Sequence, residues 1–349
     1  MDEHIADAVA RPDLIRLDRG LVCLRFETMK VVSALTAVER LLEQGRVRPG
    51  DTLLDSSSGI YAYALALACH KYGLGCHIVG STTIDSTLYN QLVLLGCRLE
   101  QVELSADLKL DQSLRVRRVR QLLAENPHYH WMRQYHDDIH CLGYRPIADR
   151  IRAELGGEAL TIVGGVGSGA STGALARYLR DAGTDVGLVG VQPFGSITFG
   201  AEHVSDSEMI IAGIGSSIPF GNVEHTAYDT LHWISFDTAL SASTDLLRRH
   251  AVFAGLSSGA AYLAARWERH VRSSGPVLFI AADTGHRYNE AVFSRAESAR
   301  DIAELAPHSA VDTTELTMPW SRMRWDRAEA PPNARSEEER EAMPVKWSR

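Results

Sequence analysis

Along much of the chain, short runs of apolar residues alternate with longer segments whose apolar residues recur every three or four positions. The short runs predict buried strands, and the longer segments predict amphipathic helices. Strands are predicted first at residues 21–26, 51–55, 76–80 and 98–102, with helices at 63–72 and 88–95 among them. Strands separated evenly by helices indicate a parallel sheet that carries helices on its faces.

The second half of the chain repeats this pattern. A helix at 144–155 is followed by predicted strands at 186–191, 231–236 and 276–282 and by helices at 239–250 and from 256 onward. The chain is therefore expected to be an α/β protein. Beyond residue 307 it becomes polar, so residues 307–349 are predicted to form a mostly irregular tail whose Trp320 segment docks on the body.

Composition excludes several classes of protein. A net charge of −8 without a concentrated basic segment argues against nucleic acid or an anionic membrane as a partner. The chain has no apolar run long enough to cross a membrane, and its acidic N-terminus does not resemble a signal peptide. Five cysteines without a C-x-x-C spacing favour reduced thiols, so we expect a cytoplasmic protein.

A glycine-rich segment between residues 161 and 173 is the strongest candidate for chemistry. Its β-branched run ends in glycines and leads into a helical pattern, which predicts a strand, a tight turn and a helix. The free N–H groups and the dipole at a helix start favour anions, and glycines let a phosphate come close. We therefore interpret this segment as a phosphate cup, whose hydroxyls are those of Ser168, Ser171 and Thr172.

Three interpretations of this segment remain open on these residues alone. They are a phosphate monoester site, a dinucleotide site and a turn with only a structural role. A dinucleotide site requires an acidic residue at the end of the next strand. That strand ends in Gln192 and Pro193, so the required acid is missing and the hydroxyls of Ser168 and Ser171 favour a phosphate monoester.

Two other segments carry unusual chemistry. Lys30 lies in the first turn of a helix that Thr28 is expected to cap, where it is either a solvent-facing residue or a Schiff-base lysine with a lowered pKa. Residues 128–141 contain four histidines and two aspartates, but their spacing matches no metal-binding pattern. An irregular loop with a substrate-facing edge is expected there, without a metal.

Taken in order, these motifs resemble the cysteine synthase family, which has the tryptophan synthase β-like fold. The resemblance covers approximately residues 21–306. It rests on Lys30 before a Val-Val-Ser-Ala run, on the Ser57–Tyr61 loop, on Gln134, on the cup, on a Gly-Ile-Gly segment ending at Gly215, on a Gly-Leu-Ser-Ser-Gly-Ala-Ala run from residue 255 and on the segment from Asp283 to Tyr288.

The resemblance implies pyridoxal 5'-phosphate as the cofactor and assigns a role to each motif. Lys30 would be the catalytic Schiff-base lysine, Thr284 would face the pyridine nitrogen, and Ile60 would lie beside the cofactor. The residues of the cup that bind the phosphate would be Gly167, Ser168, Gly169, Ala170 and Ser171. Substrate-binding residues would be Ser57, Ser58, Gly59, Tyr61, Gln134 and Gly215. No metal is implied. Partners would be an amino-acid substrate, a small nucleophile and a second copy of the chain in a homodimer.

The resemblance also implies two three-layer α/β domains with mostly parallel sheets. The smaller and mobile domain would span residues 36–141 and carry the substrate loop. The larger, cofactor-binding domain would contain residues 1–35 and 142–306. The sequence departs from the family at Ile60, where an asparagine is usual, and at Tyr61, whose side chain is expected to add bulk near the substrate carboxylate.

The expected activity is a β-replacement on an O-activated serine or a cysteine-type amino acid, through an aminoacrylate. Thr284 is neutral and would leave the ring nitrogen without a carboxylate, which disfavours transamination and suits β-elimination followed by addition. Because of Ile60 and Tyr61, a non-standard amino acid or cysteine derivative is the expected product. The alternatives are a β-eliminating lyase or dehydratase and a weakly active regulatory partner that binds the cofactor.

Overall fold

A computed structural model describes residues 1–82, 84–102, 108–157, 159–208, 213–272 and 275–334. Within these ranges the helices, labelled α1 to α9, are Ile5–Val9, Lys30–Glu43, Ile60–Tyr72, Ser86–Leu94, Leu108–Glu125, Arg145–Leu155, Ala170–Asp181, Phe236–His250 and Leu256–Val271. The strands, labelled β1 to β12, are Asp13–Asp18, Leu21–Arg25, Thr52–Ser56, Gly75–Ser81, Arg98–Val102, Tyr129–Trp131, Ala159–Gly165, Asp185–Gln192, Thr230–Ile234, Val277–Ala281, His308–Ala310 and Trp320–Arg324.

Contacts between residues divide the chain into two units. Unit 1 contains Met1–Arg11 and Thr28–Gly143, and unit 2 contains Pro12–Glu27 and the chain from Tyr144 onward. This division differs from the predicted boundary at residue 36, because α2 belongs to unit 1. The apolar face of α2 packs into one cluster with α3, in which Val31 and Leu35 share a core with Leu65. Lys30 therefore belongs to unit 1.

Unit 1 is built on a parallel four-stranded sheet in the order β5-β4-β3-β6. The predicted parallel arrangement is confirmed here. The histidine-rich stretch is more regular than the predicted loop, because Tyr129–Trp131 pairs with β3. A short 3-10 helix at Asp138–Tyr144 follows.

Unit 2 is built on an eight-stranded sheet in the order β1-β2-β10-β7-β8-β9-β12-β11. The five inner strands from β2 to β9 run parallel, whereas β1 pairs antiparallel with β2, and β12 pairs antiparallel with β9 and parallel with β11. Since β2, β10 and β7 are parallel neighbours, the segments that follow them lie at the same edge of the sheet. Ligands of open α/β sheets bind at this edge.

The predicted irregular tail is only partly correct. Residues 308–310 and 320–324 form β11 and β12 and extend the large sheet, and Trp320 is 2% exposed. The docking of the Trp320 segment is thus confirmed, but the docked chain is a strand. The charged residues of this segment are not typical of a strand within a sheet. In the folded chain, however, Arg322 forms an ion pair with Glu268, which is distant in sequence. Residues 335–349 lie outside the described residues.

None of the helices in the described part of the chain combines the length and the apolar character needed to cross a membrane.

Candidate active site

The predicted cup is a strand–turn–helix segment of unit 2. Strand β7 ends at Gly165, and α7 begins at Ala170 after a turn in which Gly169 has φ +79°. A residue with a side chain is strained in that left-handed conformation. No side chain caps α7, so the N–H groups of its first turn are available to an anion.

Three hydroxyl side chains lie at the start of α7 and are used differently. Thr172 is hydrogen-bonded to the Tyr228 hydroxyl at 2.7 Å and belongs to the packing of unit 2. Ser168 and Ser171 are 5% and 8% exposed, and their hydroxyls make no hydrogen bond within the described ranges. Two available hydroxyls beside free N–H groups fit the terminal phosphate of a cofactor.

A second glycine-rich segment packs directly on the cup. A Cβ atom on Gly167 would lie 2.3 Å from the carbonyl oxygen of Gly213, so only glycine permits this approach. Gly215, with φ +72°, donates its N–H to Val166 O at 2.8 Å. The predicted Gly-Ile-Gly segment is thus part of the cup wall. Its preceding residues 211 and 212 lie outside the described residues.

Gln192 occupies the place where a dinucleotide site would carry an acid. It ends β8, is fully buried and donates its side-chain amide to Val166 O at 2.5 Å. Because this side chain supports the cup turn, it is not available to a ribose. The phosphate monoester interpretation therefore fits the geometry better than the dinucleotide interpretation.

Thr284 follows β10 at the same edge of the sheet as the cup. Its N–H donates to Glu27 O at 3.3 Å, and its side-chain oxygen is 3.0 Å from His286 Nδ1. The neighbouring Asp283 is half-buried, and the desolvation of its carboxyl group raises its pKa to about 6. The resemblance expects Thr284, and not Asp283, to face the pyridine nitrogen. The group expected there is therefore a neutral hydroxyl and not a carboxyl group.

Lys30 is the first residue of α2 in unit 1. It is half-buried, and burial lowers its pKa to about 8. A lysine that is partly neutral near physiological pH is suited to nucleophilic chemistry. The predicted Thr28 cap is wrong, because α2 starts after Met29 and no side chain caps it.

The substrate loop of unit 1 connects β3 to α3. Ser57 Oγ accepts the N–H of Gly59 at 3.3 Å, and Ser58 Oγ accepts the N–H of Ser81 at 2.8 Å. Both hydroxyls therefore hold the loop in shape. No side chain caps α3, so the N–H groups of its first two residues, Ile60 and Tyr61, are in a position suited to a carboxylate.

Gln134 is positioned by a residue that the sequence analysis missed. Asp55 is buried in β3 and accepts the backbone N–H of Gln134 at 3.1 Å and the indole N–H of Trp131 at 3.1 Å. Burial raises the pKa of Asp55 to about 6. The side-chain amide of Gln134 donates to Ser56 O at 2.9 Å. An aspartate inside an apolar strand pattern is the sequence signal that marks this residue.

Tyr61 requires a correction. Its side chain is 3% exposed and lies in the hydrophobic core of unit 1, with its ring edge-on to His140 at 5.7 Å. The side chain therefore fills the core and does not add bulk to the loop surface. Only the backbone of Tyr61 remains a candidate for substrate contact, and Ile60 beside it is half-buried.

Arg115 is a further residue that sequence reasoning missed. It lies in the arginine-rich helix α5, is 8% exposed and donates from Nη1 to Ser58 Oγ at 3.2 Å. Its Nε has no hydrogen-bond partner, and no carboxylate of the described residues forms an ion pair with it. A buried and uncompensated guanidinium is costly unless it binds an anion.

The structure thus distributes the expected site residues over both units. Unit 1 carries Lys30, the Ser57–Tyr61 loop and Gln134, and unit 2 carries the cup, Gly215 and Thr284. Within the described ranges, no cluster of three or more His, Cys, Asp or Glu side chains has the arrangement of a metal site.

Comparisons with known proteins agree with these features. The model of the family "Pyridoxal-phosphate dependent enzyme" matches residues 23–283. N-(2-amino-2-carboxyethyl)-L-glutamate synthase of Cupriavidus metallidurans is 33% identical over 275 residues, which cover 77% of this chain and 80% of that protein. A putative cysteine synthase of Sinorhizobium fredii is 28% identical and covers 78% and 82% of the two chains.

Solved structures support the same fold. O-ureido-L-serine synthase has a TM-score of 0.73 at 22% identity, over 87% of this chain and 98% of the other. The O-acetylserine dependent cystathionine β-synthase of Helicobacter pylori has a TM-score of 0.73 at 21% identity, over 82% and 97%. The expected fold is therefore confirmed. The chain belongs to the cysteine synthase-like pyridoxal-phosphate dependent enzymes, and its cofactor is pyridoxal 5'-phosphate.

Proposed function

We propose that this enzyme catalyses a β-replacement in which an amine displaces an anionic leaving group from an O-activated serine. The product name of the Cupriavidus relative describes a glutamate whose nitrogen carries a 2-amino-2-carboxyethyl group. Such a bond forms when an amine attacks the β-carbon of a serine-derived unit. The product of the present enzyme would accordingly be a non-standard amino acid.

The proposed roles of the residues follow from their chemistry. The cofactor, when bound, withdraws electrons so that the substrate loses its α-proton and its β-substituent. Lys30 would hold the cofactor covalently and then take and return the α-proton, which its lowered pKa favours. Ser168, Ser171 and the N-terminus of α7 would hold the phosphate, and Gly167 would keep the cup open.

The substrate would be held by unit 1. The N-terminal N–H groups of α3 and the loop backbone from Ser57 to Tyr61 would bind the α-carboxylate, with Gln134 beside them. Thr284 would meet the ring nitrogen with a neutral hydroxyl. Ile60 cannot donate a hydrogen bond to the cofactor from its side chain, so the role of this side chain, like that of Gly215, would be limited to shaping the site.

The observation that carries the choice of leaving group is the environment of Arg115. This guanidinium is buried beside the substrate loop without a carboxylate partner among the described residues. A substrate with negative charge beyond its α-carboxylate would compensate it. O-Phosphoserine has such a charge and O-acetylserine does not, so a phosphate ester is the leaving group that we favour.

The proposal is tested by turnover assays with the cofactor-loaded enzyme. O-Phosphoserine and O-acetylserine are each mixed with a panel of amino acids as amine donors, and products are identified by mass spectrometry. Arg115→Met should raise the KM for O-phosphoserine about 10-fold or more, because a charged hydrogen bond contributes about 1.5–3 kcal/mol. Arg117→Met, on the exposed face of the same helix, is the matched control.

Other results would favour the alternatives. Release of pyruvate without an added nucleophile, and no coupled product with any amine, would identify a β-eliminating lyase. A bound cofactor without turnover of either serine derivative would identify a regulatory protein, which the loss of a hydrogen-bonding side chain at Ile60 would explain. Equal KM values for both serine derivatives in wild type and Arg115→Met would refute the assignment of the leaving group.

The proposal extends to assembly and location. We propose a homodimer, as the family resemblance implies, and a cytoplasmic location, which the pattern of its cysteines favours. Sedimentation of the purified enzyme at several concentrations tests the assembly, and fractionation of expressing cells tests the location.

A further inference from the structure

Ser196 lies in the loop that follows β8 and is 2% exposed. The backbone of this loop is closed by hydrogen bonds of its own, because Gly195 donates its N–H to Ala201 O at 2.9 Å and Ala201 donates to Ser196 O at 3.0 Å. A buried hydroxyl group costs free energy unless it is hydrogen-bonded. The partners of Ser196 Oγ therefore indicate what this side chain does.

The Ser196 hydroxyl is the centre of a buried set of hydrogen bonds. It accepts the N–H of Ser216 at 3.0 Å and the N–H of Thr198 at 3.2 Å, which uses both of its lone pairs. Its hydrogen has three acceptors within reach, namely Gln192 Oε1 at 3.0 Å, Thr198 Oγ1 at 3.0 Å and Ser216 O at 3.3 Å. Among these acceptors, Gln192 has a side chain with a second polar end.

Gln192 extends this contact to the turn of the phosphate cup. Its Nε2 donates to Val166 O at 2.5 Å, and Val166 immediately precedes Gly167. A carboxamide has one donating end and one accepting end. Since the Nε2 end faces a carbonyl oxygen, Oε1 faces Ser196, and a hydrogen from the Ser196 hydroxyl satisfies it. The cup turn is thus held by an amide whose orientation Ser196 fixes.

Ser216 connects the same hydroxyl to the opposite side of the cup. It directly follows Gly215, the last residue of the Gly-Ile-Gly segment that packs on the cup. A Cβ atom on Gly215 would lie 2.6 Å from Pro193 Cγ and 3.1 Å from Ser196 Cβ. Ser196 therefore holds this segment in two ways, by the hydrogen bond from Ser216 and by close packing on Gly215.

A buried chain of hydrogen bonds thereby joins the two sides of the cup. It runs from the N–H of Ser216 through Ser196 Oγ and the Gln192 amide to Val166 O. Hydrogen-bond donors that are already held in position bind an anion without a cost of reorganisation. A cup whose sides are joined in this way should bind a phosphate group more tightly than a cup whose sides can separate.

We propose that Ser196 is a positioning residue of the phosphate cup, which acts through Gln192 on the cup turn and through Ser216 on the Gly-Ile-Gly segment. It thereby determines how tightly the phosphate group of the cofactor is held. This inference rests on the proposed role of the cup in binding that phosphate. The chain of hydrogen bonds includes neither Lys30 nor Thr284, so the binding of the cofactor's aldehyde and ring should not depend on it.

The experiment compares two forms of the cofactor on the same apoprotein. Pyridoxal has the ring and the aldehyde of pyridoxal 5'-phosphate but lacks the phosphate group. The dissociation constant of each form is measured from the visible absorption band that develops on titration, and the wild type should prefer the phosphorylated form. In Ser196→Ala the dissociation constant of pyridoxal 5'-phosphate should rise about 5- to 10-fold, the usual effect of one hydrogen bond, while that of pyridoxal should not change.

A second variant keeps the test valid if Ser196→Ala folds poorly. Gln192→Met retains approximately the length of the side chain but removes both of its polar ends. The former partners of the amide remain hydrogen-bonded, because Val166 O still accepts the N–H of Gly215 at 2.8 Å and Ser196 can donate to Thr198 Oγ1 at 3.0 Å. The same selective rise for pyridoxal 5'-phosphate is expected.

Ser321→Ala is the matched control. Ser321 is fully buried in β12, and its hydroxyl accepts the N–H of Thr317 at 2.9 Å and donates to Thr317 O at 2.7 Å. This substitution should lower the melting temperature but leave both dissociation constants unchanged. Equal changes for the two forms of the cofactor in Ser196→Ala, or no change for either, would overturn the proposal. A wild type that binds both forms equally would instead refute the proposed role of the cup, so the two failures are distinguishable.

Discussion

His232 donates its Nε2 proton to Glu268 Oε1 at 3.1 Å, and both side chains are fully buried in unit 2. The tautomer follows from Trp320, whose indole N–H donates to His232 Nδ1 at 3.0 Å. Arg322 and Arg272 also donate to Glu268, each at 2.7 Å. One buried carboxylate thus joins β9, α9 and the C-terminal strand β12.

Removal of this carboxylate should strongly destabilise the protein. Glu268→Ala leaves Arg322 and His232 without their buried partner, and the expected loss in free energy of unfolding is about 3–5 kcal/mol. Urea denaturation measures this change in the free energy of unfolding. Glu304→Ala, an exposed site, should change the same quantity by less than about 0.5 kcal/mol. Equal effects of the two substitutions would contradict a buried network.

The same network predicts how stability depends on pH. Burial raises the pKa of Glu268, but hydrogen bonds from His232 and Arg322 outweigh this effect and hold the pKa well below its usual 4.5. The stabilisation is therefore complete above pH 4.5 and is lost as pH falls toward the folded-state pKa. In Glu268→Gln the acid-induced loss of stability below pH 4.5 should be smaller than in the wild type.

Two glycines at the cup should respond differently to the same substitution. Gly167→Ala would place its Cβ 2.3 Å from Gly213 O, displace the Gly-Ile-Gly segment and weaken cofactor binding. Gly173→Ala, within α7, has open space and should stabilise the helix by about 0.5–1 kcal/mol. Cofactor titration followed by absorbance, together with thermal unfolding, checks both. Unchanged cofactor affinity in Gly167→Ala would show that the cup tolerates the shift.

Cofactor capture should depend on the protonation of Lys30. Its pKa is lowered to about 8 by burial, so the neutral nucleophilic amine increases as pH rises through 8. The rate at which apoprotein develops the visible absorption band of bound cofactor should rise with the same midpoint. Lys30→Ala should show no such band, whereas Lys71→Arg, at a site paired with Asp7, should behave as wild type. A band retained in Lys30→Ala would exclude Lys30 as the attachment site.

Asp55 should make the stability of unit 1 depend on pH. Its pKa is raised to about 6 by burial, and its carboxylate accepts N–H groups from Gln134, Trp131 and Ser56. A raised carboxyl pKa makes the charged form costly, so its contribution to stability falls as pH rises from 3.8 through 6.

Asp55→Asn should remove that pH dependence. It would also place the N–H₂ group of the asparagine side chain against one of the three N–H donors, so that one hydrogen bond is lost. Gln134 would shift, and the KM for the amino-acid substrate should rise while circular dichroism stays unchanged. Asp51→Asn, in the turn that precedes β3, serves as a control because, among the described residues, its carboxylate accepts a hydrogen bond from the nearby Arg48 N–H at 2.8 Å and none from Gln134. An unaltered KM in Asp55→Asn would argue against a positioning role through Gln134.

Local patterns were sufficient for much of the fold. The cup turn is recognisable because its glycines, hydroxyls and β-branched strand are adjacent in sequence, and the parallel sheets follow from the regular alternation of strands and helices. The position of Tyr61 was not accessible in this way. A tyrosine in a substrate loop and a tyrosine in a core have the same neighbours in sequence, and only the packing around His140 separates them.

By itself, the sequence determined the fold class, the cofactor family and the identity of the motifs, because these depend on short segments whose chemistry is local. Tertiary structure alone decided the environments of individual charged and polar side chains. Arg115 became buried, Asp55 came to hold Gln134, and a charged segment after residue 307 became strand β12. Each of these outcomes depends on residues far apart in the chain, and the energy of a charged group is set by the partners that folding brings to it.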